Sequence, residues 1–426
     1  MKDPPAAWTC RMGYEESIFS AMTRGPFRYR LPQTNLPRGN LMLRIFGIAL
    51  AAGTLASSGA LAQDVKVGVV LPLTGGLAPV GKQVQAGIKA YMDKNGASVA
   101  GKKIDLIIKD DAGVPDNSKR LAQELIVNDK VAVVGSGITP SAMAIGPLST
   151  QAKTANVVMV SGTSAAINPN NPYMVRTSFT LGQQSGIIAE WAAKNGSKKV
   201  AIVQSDWAPG AEATAVFTDA FTKAGGQIVE TIKVPLANPD FAPFLQRARD
   251  ANPDTLFVFV PASQAGTFAK QFAERGLDKA GIKLIGPGDI VDDNDLPGMG
   301  DGMLGVVTAG IYSAHHNSPM NKEYVAAFKK ANGYRPNFIS LGGYDGMHLI
   351  YEALKKTQGK TDGDSLVNAM KGMKWESPRG QISIDPDTRD IVQNVYIGKV
   401  QKVDGELYNV EFATFNAVKD PLKMKK

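Results

Sequence analysis

The sequence predicts an α/β fold with two similar parallel-sheet units in tandem, and three observations lead to this prediction. Short apolar runs rich in β-branched residues, such as VKVGVVL at 65–71, have the length and composition of buried parallel strands. Segments with helical periodicity separate these runs, and a regular alternation of strand and helix implies a parallel sheet covered by helices. The alternation breaks at the turn-rich stretch NPNNP at 168–172 and then begins again.

Length and composition indicate a folded protein of two or three domains. The chain has 426 residues, of which 44% are hydrophobic and 20% charged, as is typical of globular proteins. The net charge is +8, but residues 1–62 hold seven Lys or Arg and three Asp or Glu, so the remainder carries only +4. Without a basic run, this charge does not favour nucleic-acid binding. The single cysteine, Cys10, excludes an intrachain disulfide and a cysteine-based zinc site.

The segment 42–62 has the pattern of a secretory signal peptide. Arg44 precedes an apolar stretch at 45–55, and the small residues at 60–62 (ALA) form a cleavage site. Glycine and serine interrupt the apolar stretch, so a membrane-spanning helix is the weaker interpretation. We therefore expect export to the periplasm, without a lipid anchor, because no cysteine follows the cleavage site. We interpret residues 1–41 as a misassigned upstream extension; the alternative is an unusually long leader.

Elements of both units follow from periodicity. In the first unit we predict strands at 65–71, 104–109, 131–134 and 157–160 and helices at 82–94, 115–128 and 140–153. In the second we predict helices at 182–194, 209–224, 241–250 and 263–275 and strands at 199–204, 227–234, 255–260, 283–285 and 305–311. Each unit has the alternating strands and helices of a Rossmann-like lobe.

Further helices and strands follow the second unit, although both units are already complete without them. They are helices at 319–331, 338–356 and 365–371 and strands at 381–384, 394–400 and 409–414. We therefore expect the chain to cross between two lobes more than once, a layout that forms a hinge. The predicted N-terminal lobe comprises 64–178 with 313–375, and the C-terminal lobe comprises 179–312 with 376–426.

Hydroxyl-bearing turns after two neighbouring strands predict a ligand-binding crevice. The strands 131–134 and 157–160 end in Gly-Ser-Gly and Ser-Gly-Thr-Ser, and the carboxyl ends of adjacent parallel strands are where open α/β sheets bind ligands. Free amide groups at the following helix start favour an anion, so we expect a small carboxylate. The candidate residues are Ser136, Thr139, Ser141, Ser161, Thr163 and Ser164. The alternative is that these are ordinary turns with helix caps.

Two side chains of the second unit are further candidates. Trp207 follows the strand 199–204 and offers a flat surface for a ligand, although an indole in a turn is as often a cover for the core. Asp289 follows the strand 283–285 and could pair with a ligand ammonium or accept a ligand hydroxyl. The neighbouring acids of the loop 292–295 lack the spacing of a calcium loop, and we expect them to be solvated or to cap helices.

Catalytic motifs are incomplete, which predicts a protein that is not an enzyme. The stretch 76–82 matches G-x-x-x-x-G-K, but Gln83 replaces the Ser or Thr that would hold magnesium, so this loop offers backbone amides to a ligand or simply turns. There is no G-x-S-x-G motif, and we expect His315 and His316 to lie in a solvated loop and His348 to be structural. No cofactor or metal is predicted.

Several stretches together resemble the Leu/Ile/Val-binding family of periplasmic solute-binding proteins that serve ABC importers. The resemblance extends over 64–414. It rests on VGVVLPLTG at 67–75 with APVG at 78–81, GS at 135–136, SGTS at 161–164, PYMVRT at 172–177 and GYDG at 343–346. None of these motifs is specific alone, but their order and spacing are.

This resemblance implies a type I periplasmic binding protein fold: two Rossmann-like lobes that close on a ligand and present it to permease subunits, without catalysis. It implies that the turns 136–141 and 161–164 hold a ligand carboxylate, with Ala78 as a further contact. It also implies that Trp207 packs against the ligand and that an acid near Asp289 binds its amino group. We expect a monomer.

The sequence departs from the family at the acidic position. Amino-acid binders resemble Gly-Pro-Glu there, whereas this chain has Gly-Pro-Gly at 286–288 and its acid, Asp289, one residue later. An unpaired buried ammonium is costly, so we favour an aromatic carboxylate, stacked on Trp207. Branched-chain or other amino acids are the alternative. A ligand-sensing subunit and an exported hydrolase are rival functions, and only the hydrolase predicts turnover.

Overall fold

The computed structural model describes residues 64–237 and 239–424. The predicted extension at 1–41 and the predicted signal peptide at 42–62 lie outside these residues. Within the described ranges, no helix combines the length and the apolar composition that crossing a membrane requires.

The first series of elements forms a six-stranded sheet with helices. Its members are β1 (Val65–Leu71), α1 (Ala78–Asn95), β2 (Ser98–Val99), β3 (Lys102–Asp110), α2 (Pro115–Val127), β4 (Val133–Ser136), α3 (Thr139–Gln151), β5 (Ala155–Val158) and β6 (Met174–Arg176). The strand order is β2-β3-β1-β4-β5-β6, and every pairing is parallel except that of β2 with β3. The central strands are buried on both faces, which explains why they are continuously apolar.

The second series forms the core of a nine-stranded sheet. Its members are α4 (Leu181–Lys194), β7 (Lys199–Ser205), α5 (Ala208–Lys223), β8 (Gln227–Val234), α6 (Ala242–Asp250), β9 (Thr255–Phe259), α7 (Ala262–Glu274), β10 (Lys283–Pro287) and β11 (Val307–Gly310). These strands pair in parallel in the order β11-β10-β9-β7-β8.

The remaining elements serve both lobes. They are α8 (Pro319–Asn332), α9 (Phe338–Lys356), α10 (Gly363–Met370), β12 (Lys374–Ser377), β13 (Gly380–Ile384), β14 (Ile391–Val403) and β15 (Glu406–Val418). Helices α8 and α9 pack against α1, whereas β12 to β15 extend the second sheet with antiparallel pairings. The chain thus crosses between lobes after β6, before α8 and before β12, and the predicted two-lobed α/β fold is confirmed.

Two predicted strands beside the crevice were placed incorrectly. The strand predicted at 131–134 runs from Val133 to Ser136, and the one predicted at 157–160 runs from Ala155 to Val158. Gly and Ser usually end strands, which led to the early boundary. Here Gly135 lies within β4. A Cβ at this position would lie only 3.0 Å from Met159 Cε and 3.1 Å from Val69 Cγ1, so the tight packing around the strand favours glycine.

Helices α1 and α9 approach each other backbone to backbone. A Cβ added at Gly87 of α1 would lie 1.7 Å from the carbonyl oxygen of Ser340, and one added at Gly343 of α9 would lie 2.3 Å from the carbonyl oxygen of Val84. Glycine at both positions therefore lets the helices pack more closely than any side chain allows. This contact joins the start of the first lobe to a helix from far along the chain.

We predict that Gly87→Ala lowers the free energy of unfolding by about 2 kcal/mol or more, because overpacking at backbone contact forces the helices apart. The matched control is Gly186→Ala in α4, where the nearest atom to the added Cβ is Val216 Cγ1 at 3.6 Å. That variant should be unchanged or more stable by up to about 1 kcal/mol. Urea unfolding measures the free energy of unfolding of both variants. An equal change in the two would contradict the packing argument.

Candidate functional site

A narrow cavity of about 50 Å³ lies between the two lobes, at the carboxyl ends of their parallel strands. Seventeen residues line it, and only Thr139, Ser161 and Asp289 among them carry a hydroxyl or carboxyl group. The other lining residues are apolar, glycine or proline. The cavity therefore combines a few polar groups with apolar walls, which is the usual composition of a small-molecule site.

The polar wall on the first lobe is a cluster of hydroxyl groups. Thr139 is the first residue of α3, and Ser161 follows β5. The Thr139 Oγ1 atom lies 2.8 Å from Ser161 Oγ and 3.2 Å from Thr163 Oγ1. Amide groups in the first turn of a helix have no partner within that helix. The cluster and the start of α3 can together donate hydrogen bonds to a carboxylate.

Two other predicted hydroxyls on this lobe donate to buried polar groups that do not line the cavity. Ser136 Oγ donates to Asn156 Oδ1 at 2.9 Å, because Ser136 lies within β4 and faces the neighbouring strand. Ser141 Oγ donates to the Asp111 carboxylate. Ala78 is also absent from the cavity lining. The structure therefore brings only part of the predicted set together.

Aromatic side chains form much of the remaining wall. Trp207 precedes α5, and its Nε1 atom is buried without a hydrogen-bond partner among the described residues. Phe179 and Phe338 meet edge to face, with ring centroids 5.3 Å apart, and Phe259 follows on the second lobe. Flat apolar surfaces of this kind favour a planar, apolar ligand group.

Asp289 is the acidic group of the cavity. It lies directly after β10 in the turn Gly288–Val291 and is 7% exposed. Its Oδ2 atom has no hydrogen-bond partner in the described part of the chain. Burial, with a smaller contribution from the charge of Asp292, raises the pKa of Asp289 to about 7. The side chain therefore titrates near neutral pH.

Glycine at position 288 fits the tight space beside the neighbouring strand. At position 288, a Cβ would lie 3.3 Å from the Gly310 Cα atom, and the Gly288 amide donates to Gln184 Oε1 at 3.1 Å. Gly310 ends β11, the neighbouring strand, so a side chain at position 288 would press against its backbone. The acid of this chain stands at Asp289, where the side chain lines the cavity.

The expectation of solvated acids in the loop 292–295 was wrong for two of them. Asp292 is 2% and Asp293 4% exposed. Asp292 Oδ2 accepts a hydrogen bond from Asn337 Nδ2 at 2.6 Å, and Asn337 caps α9. Burial raises the pKa of Asp292 to about 7 and that of Asp293 well above its usual value. Within the described ranges, no group of three or more metal-binding side chains could hold an ion.

A carboxylate of the second lobe contacts the first lobe beside the cavity. Both oxygens of Glu212, in α5, accept from the Ser164 amide at 3.0 Å. The Ser164 hydroxyl meanwhile donates to Asp420 near the end of the chain. Burial is the main cause that raises the pKa of Glu212 to about 6. This contact exists only while the lobes are together.

Arg176 holds the crevice turn, and sequence reasoning missed it. Its guanidinium donates to the carbonyl oxygens of Ser161, of Thr163 at 2.8 Å and of Phe179 at 3.1 Å. Its Nε atom forms an ion pair with Asp390 Oδ1 at 2.7 Å. An arginine inside the short apolar strand β6 is the signal that could have identified it, because a fully buried charge requires a dedicated partner.

Two lobes joined by three crossings, with one cavity between their strand ends, define a type I two-lobed binding protein. The chain belongs to the periplasmic binding protein family, whose model matches residues 64–406. The family suggested by the sequence motifs is thereby confirmed.

Similar proteins include transport receptors with known ligands. A solute-binding protein of an ABC transporter from Rhodopseudomonas palustris BisB5, crystallised with 3,4-dihydroxybenzoic acid, is 67% identical, with a TM-score of 0.83 over 85% of this chain and 99% of that one. A solute-binding protein from R. palustris HaA2 in complex with p-hydroxybenzoic acid is 41% identical, with a TM-score of 0.81 over 85% of this chain and 100% of that one. The Leu/Ile/Val-binding protein homolog 6 of Brucella suis biovar 1 (strain 1330) is 44% identical over 386 residues, 89% of this chain and 99% of that protein.

The raised pKa of Asp289 predicts a pH-dependent stability of the ligand-free protein. The folded state holds the proton up to about pH 7, whereas an unfolded Asp loses it near pH 4. Stability gained from the protonated form is therefore complete below about pH 4 and is lost as the pH rises to 7. Asp289→Asn, which cannot ionise, should become more stable than the wild type across this window, by a few kcal/mol at pH 8.

Urea unfolding at pH 4 to 8 measures this difference. Because Asp292 and Asp293 also titrate, the informative quantity is the free energy of unfolding of the wild type minus that of the variant, measured at each pH. The control is Asp219→Asn on the exposed surface of α5. For this variant, the difference in the free energy of unfolding should not change between pH 4 and 8. A flat difference for Asp289→Asn would show that its carboxyl is solvated in the folded state.

Proposed function

We propose that this protein is an extracytoplasmic receptor that captures an aromatic carboxylate between its lobes and delivers it to the permease of an ABC importer. The benzoate and hydroxycinnamate types are the expected ligands. The observation that carries the proposal is the cavity itself, where a hydroxyl cluster on one lobe faces aromatic walls.

Each end of such a ligand matches a part of the cavity. A carboxylate accepts hydrogen bonds from Thr139 and Ser161 and from the amide groups at the start of α3, where the helix dipole favours an anion. The ring lies against Trp207 and the phenylalanine side chains. Burial of an aromatic ring removes a large apolar area from water, and ring–ring contacts add about 0.5–1.5 kcal/mol each.

The comparisons support this ligand class. The two R. palustris proteins described above were crystallised with hydroxylated benzoic acids, and the one with 3,4-dihydroxybenzoic acid shares 67% of its aligned residues with this chain. This similarity covers 85% of this chain and 99% of the relative, and it supports the same class of ligand for this protein.

A branched-chain or other amino acid is the second candidate. Asp289 lines the cavity, so a partner for a ligand ammonium is available despite its displacement from the family position. The Brucella relative carries the name Leu/Ile/Val-binding protein homolog 6. Against this candidate, the cavity offers one carboxyl group to an ammonium that needs several acceptors, and the walls are aromatic.

The remaining parts of the proposal concern location and partners. The signal peptide at 42–62 directs export to the periplasm, where the mature chain works as a monomer and binds without catalysis. Lobe closure presents the ligand to the permease subunits. A ligand-sensing subunit would bind the same ligand, but uptake by cells would not depend on it, so a deletion strain separates the two roles.

The proposal predicts a loss of aromatic-acid binding in Trp207→Ala. Removal of the indole takes away one face of the ring site, and we expect 4-hydroxybenzoate affinity to fall by roughly 10- to 100-fold. Isothermal titration with benzoates, cinnamates, leucine and valine measures both the ligand class and the effect.

A matched control keeps this test specific. Trp191→Ala removes an indole from α4, where it packs against Phe412 outside the cavity. The affinity of this variant for 4-hydroxybenzoate should stay within about twofold of the wild-type value. Tight binding of leucine or valine together with no response to aromatic acids would overturn the proposed ligand class in favour of the amino-acid alternative.

The interlobe contact of Glu212 predicts a change of affinity without ligand contact. Loss of one hydrogen bond to a charged acceptor in the closed form should weaken aromatic-acid binding by roughly 5- to 50-fold in Glu212→Ala, mainly through faster dissociation. Stopped-flow measurement gives both rate constants. Glu190→Ala on the exposed side of α4 is the control and should leave them unchanged.

A further inference from the structure

The carboxyl group of Asp289 lines the cavity and is not used by the ligand carboxylate or the ring in the proposed function. The hydroxyl cluster of the first lobe suits a carboxylate, and the aromatic walls suit a ring. Asp289 stands on the second lobe, lines the cavity and is more than nine-tenths buried, and among the described residues its buried Oδ2 atom has no hydrogen-bond partner. A buried polar oxygen without a partner is costly unless a ligand supplies one.

Charge places the ligand carboxylate away from this residue. Two carboxylates side by side in an apolar site repel each other strongly. Among the described residues, no Lys, Arg or His lines the cavity to offset a second negative charge. The carboxylate therefore binds at Thr139 and Ser161, on the facing lobe, and the part of the ring remote from it meets Asp289.

We infer that Asp289 selects aromatic acids that carry a ring hydroxyl remote from the carboxylate, by accepting a hydrogen bond from that hydroxyl. The inference rests on the proposed function and narrows its ligand class from aromatic acids in general to phenolic acids. A phenolic hydroxyl is a neutral donor, so it satisfies the buried oxygen without bringing a second charge into the cavity. Above its raised pKa Asp289 accepts as a carboxylate, which makes this hydrogen bond stronger than one between neutral groups, and the hydroxyl donor in turn favours the ionised form.

An unsubstituted ring leaves the Asp289 oxygen unpartnered. Benzoate has the carboxylate and the ring but no donor at its far end, so binding buries the acid without compensation. Sites built to hydrogen-bond a hydroxyl discriminate strongly against analogues that lack it, because their own polar groups then stay unpaired. Asp289 is therefore a specificity-determining residue, separate from the groups that hold the carboxylate.

The test is a matrix of affinities for purified wild type, Asp289→Asn and Asp289→Leu against benzoate, 3-hydroxybenzoate and 4-hydroxybenzoate. We expect the wild type to bind at least one hydroxybenzoate 10- to 100-fold more tightly than benzoate. Asp289→Asn should reduce this preference to a few-fold, and Asp289→Leu should abolish or reverse it. Retained benzoate binding shows that each variant is folded.

The control is Asp295→Asn, which removes a carboxylate from the same loop outside the cavity and should keep the wild-type preference. A wild type that binds benzoate and hydroxybenzoates equally, or a preference that survives in Asp289→Leu, overturns the inference and leaves the proposed function intact. Binding of leucine but of no aromatic acid overturns both. The two failures are thus distinguishable in one data set.

Discussion

Buried guanidinium groups at the junction of the lobes are the interaction on which this architecture depends. Where the chain leaves a sheet to cross between lobes, its carbonyl groups lose their strand partners. Arg176 and Arg379, 0% and 1% exposed, donate to those carbonyls and pair with Asp390 and Asp345 at 2.7 and 2.9 Å. A buried charge left without its partner costs about 3–5 kcal/mol. These contacts anchor the chain where it enters the crossings, and they anchor the turn that carries Ser161 as well.

The cavity depends on this arrangement because its polar groups come from different lobes. A hydroxyl cluster at the start of a helix attracts a negative charge, whereas an acid in apolar surroundings disfavours one. Each wall alone is a weak recognition element. In the proposed function, the two walls together orient the ligand, with its anionic group toward Thr139 and its neutral end toward Asp289.

Sequence patterns predicted the fold well, because strand and helix periodicity is a local property and the signals repeat along the chain. The site was harder to predict, since whether a side chain faces a cavity depends on strand register. Ser136 and Thr139 are only three residues apart, yet one faces β5 and the other the cavity. The partners of Asp292 and Glu212 come from other segments, and no local pattern indicates them. Arg176 was recognisable only as a charge in an apolar strand.

The close contact of α1 and α9 also bears on how the chain folds. Gly87 and Ser340 are separated by the whole of the second parallel series, yet their backbones touch. The first lobe therefore cannot complete its own core until α9 is available, however early its strands emerge. Contacts between residues so distant in sequence slow folding, since loop closure precedes the gain from packing. The first lobe, whose strands are synthesised early, is thus completed only after the second parallel series has been synthesised.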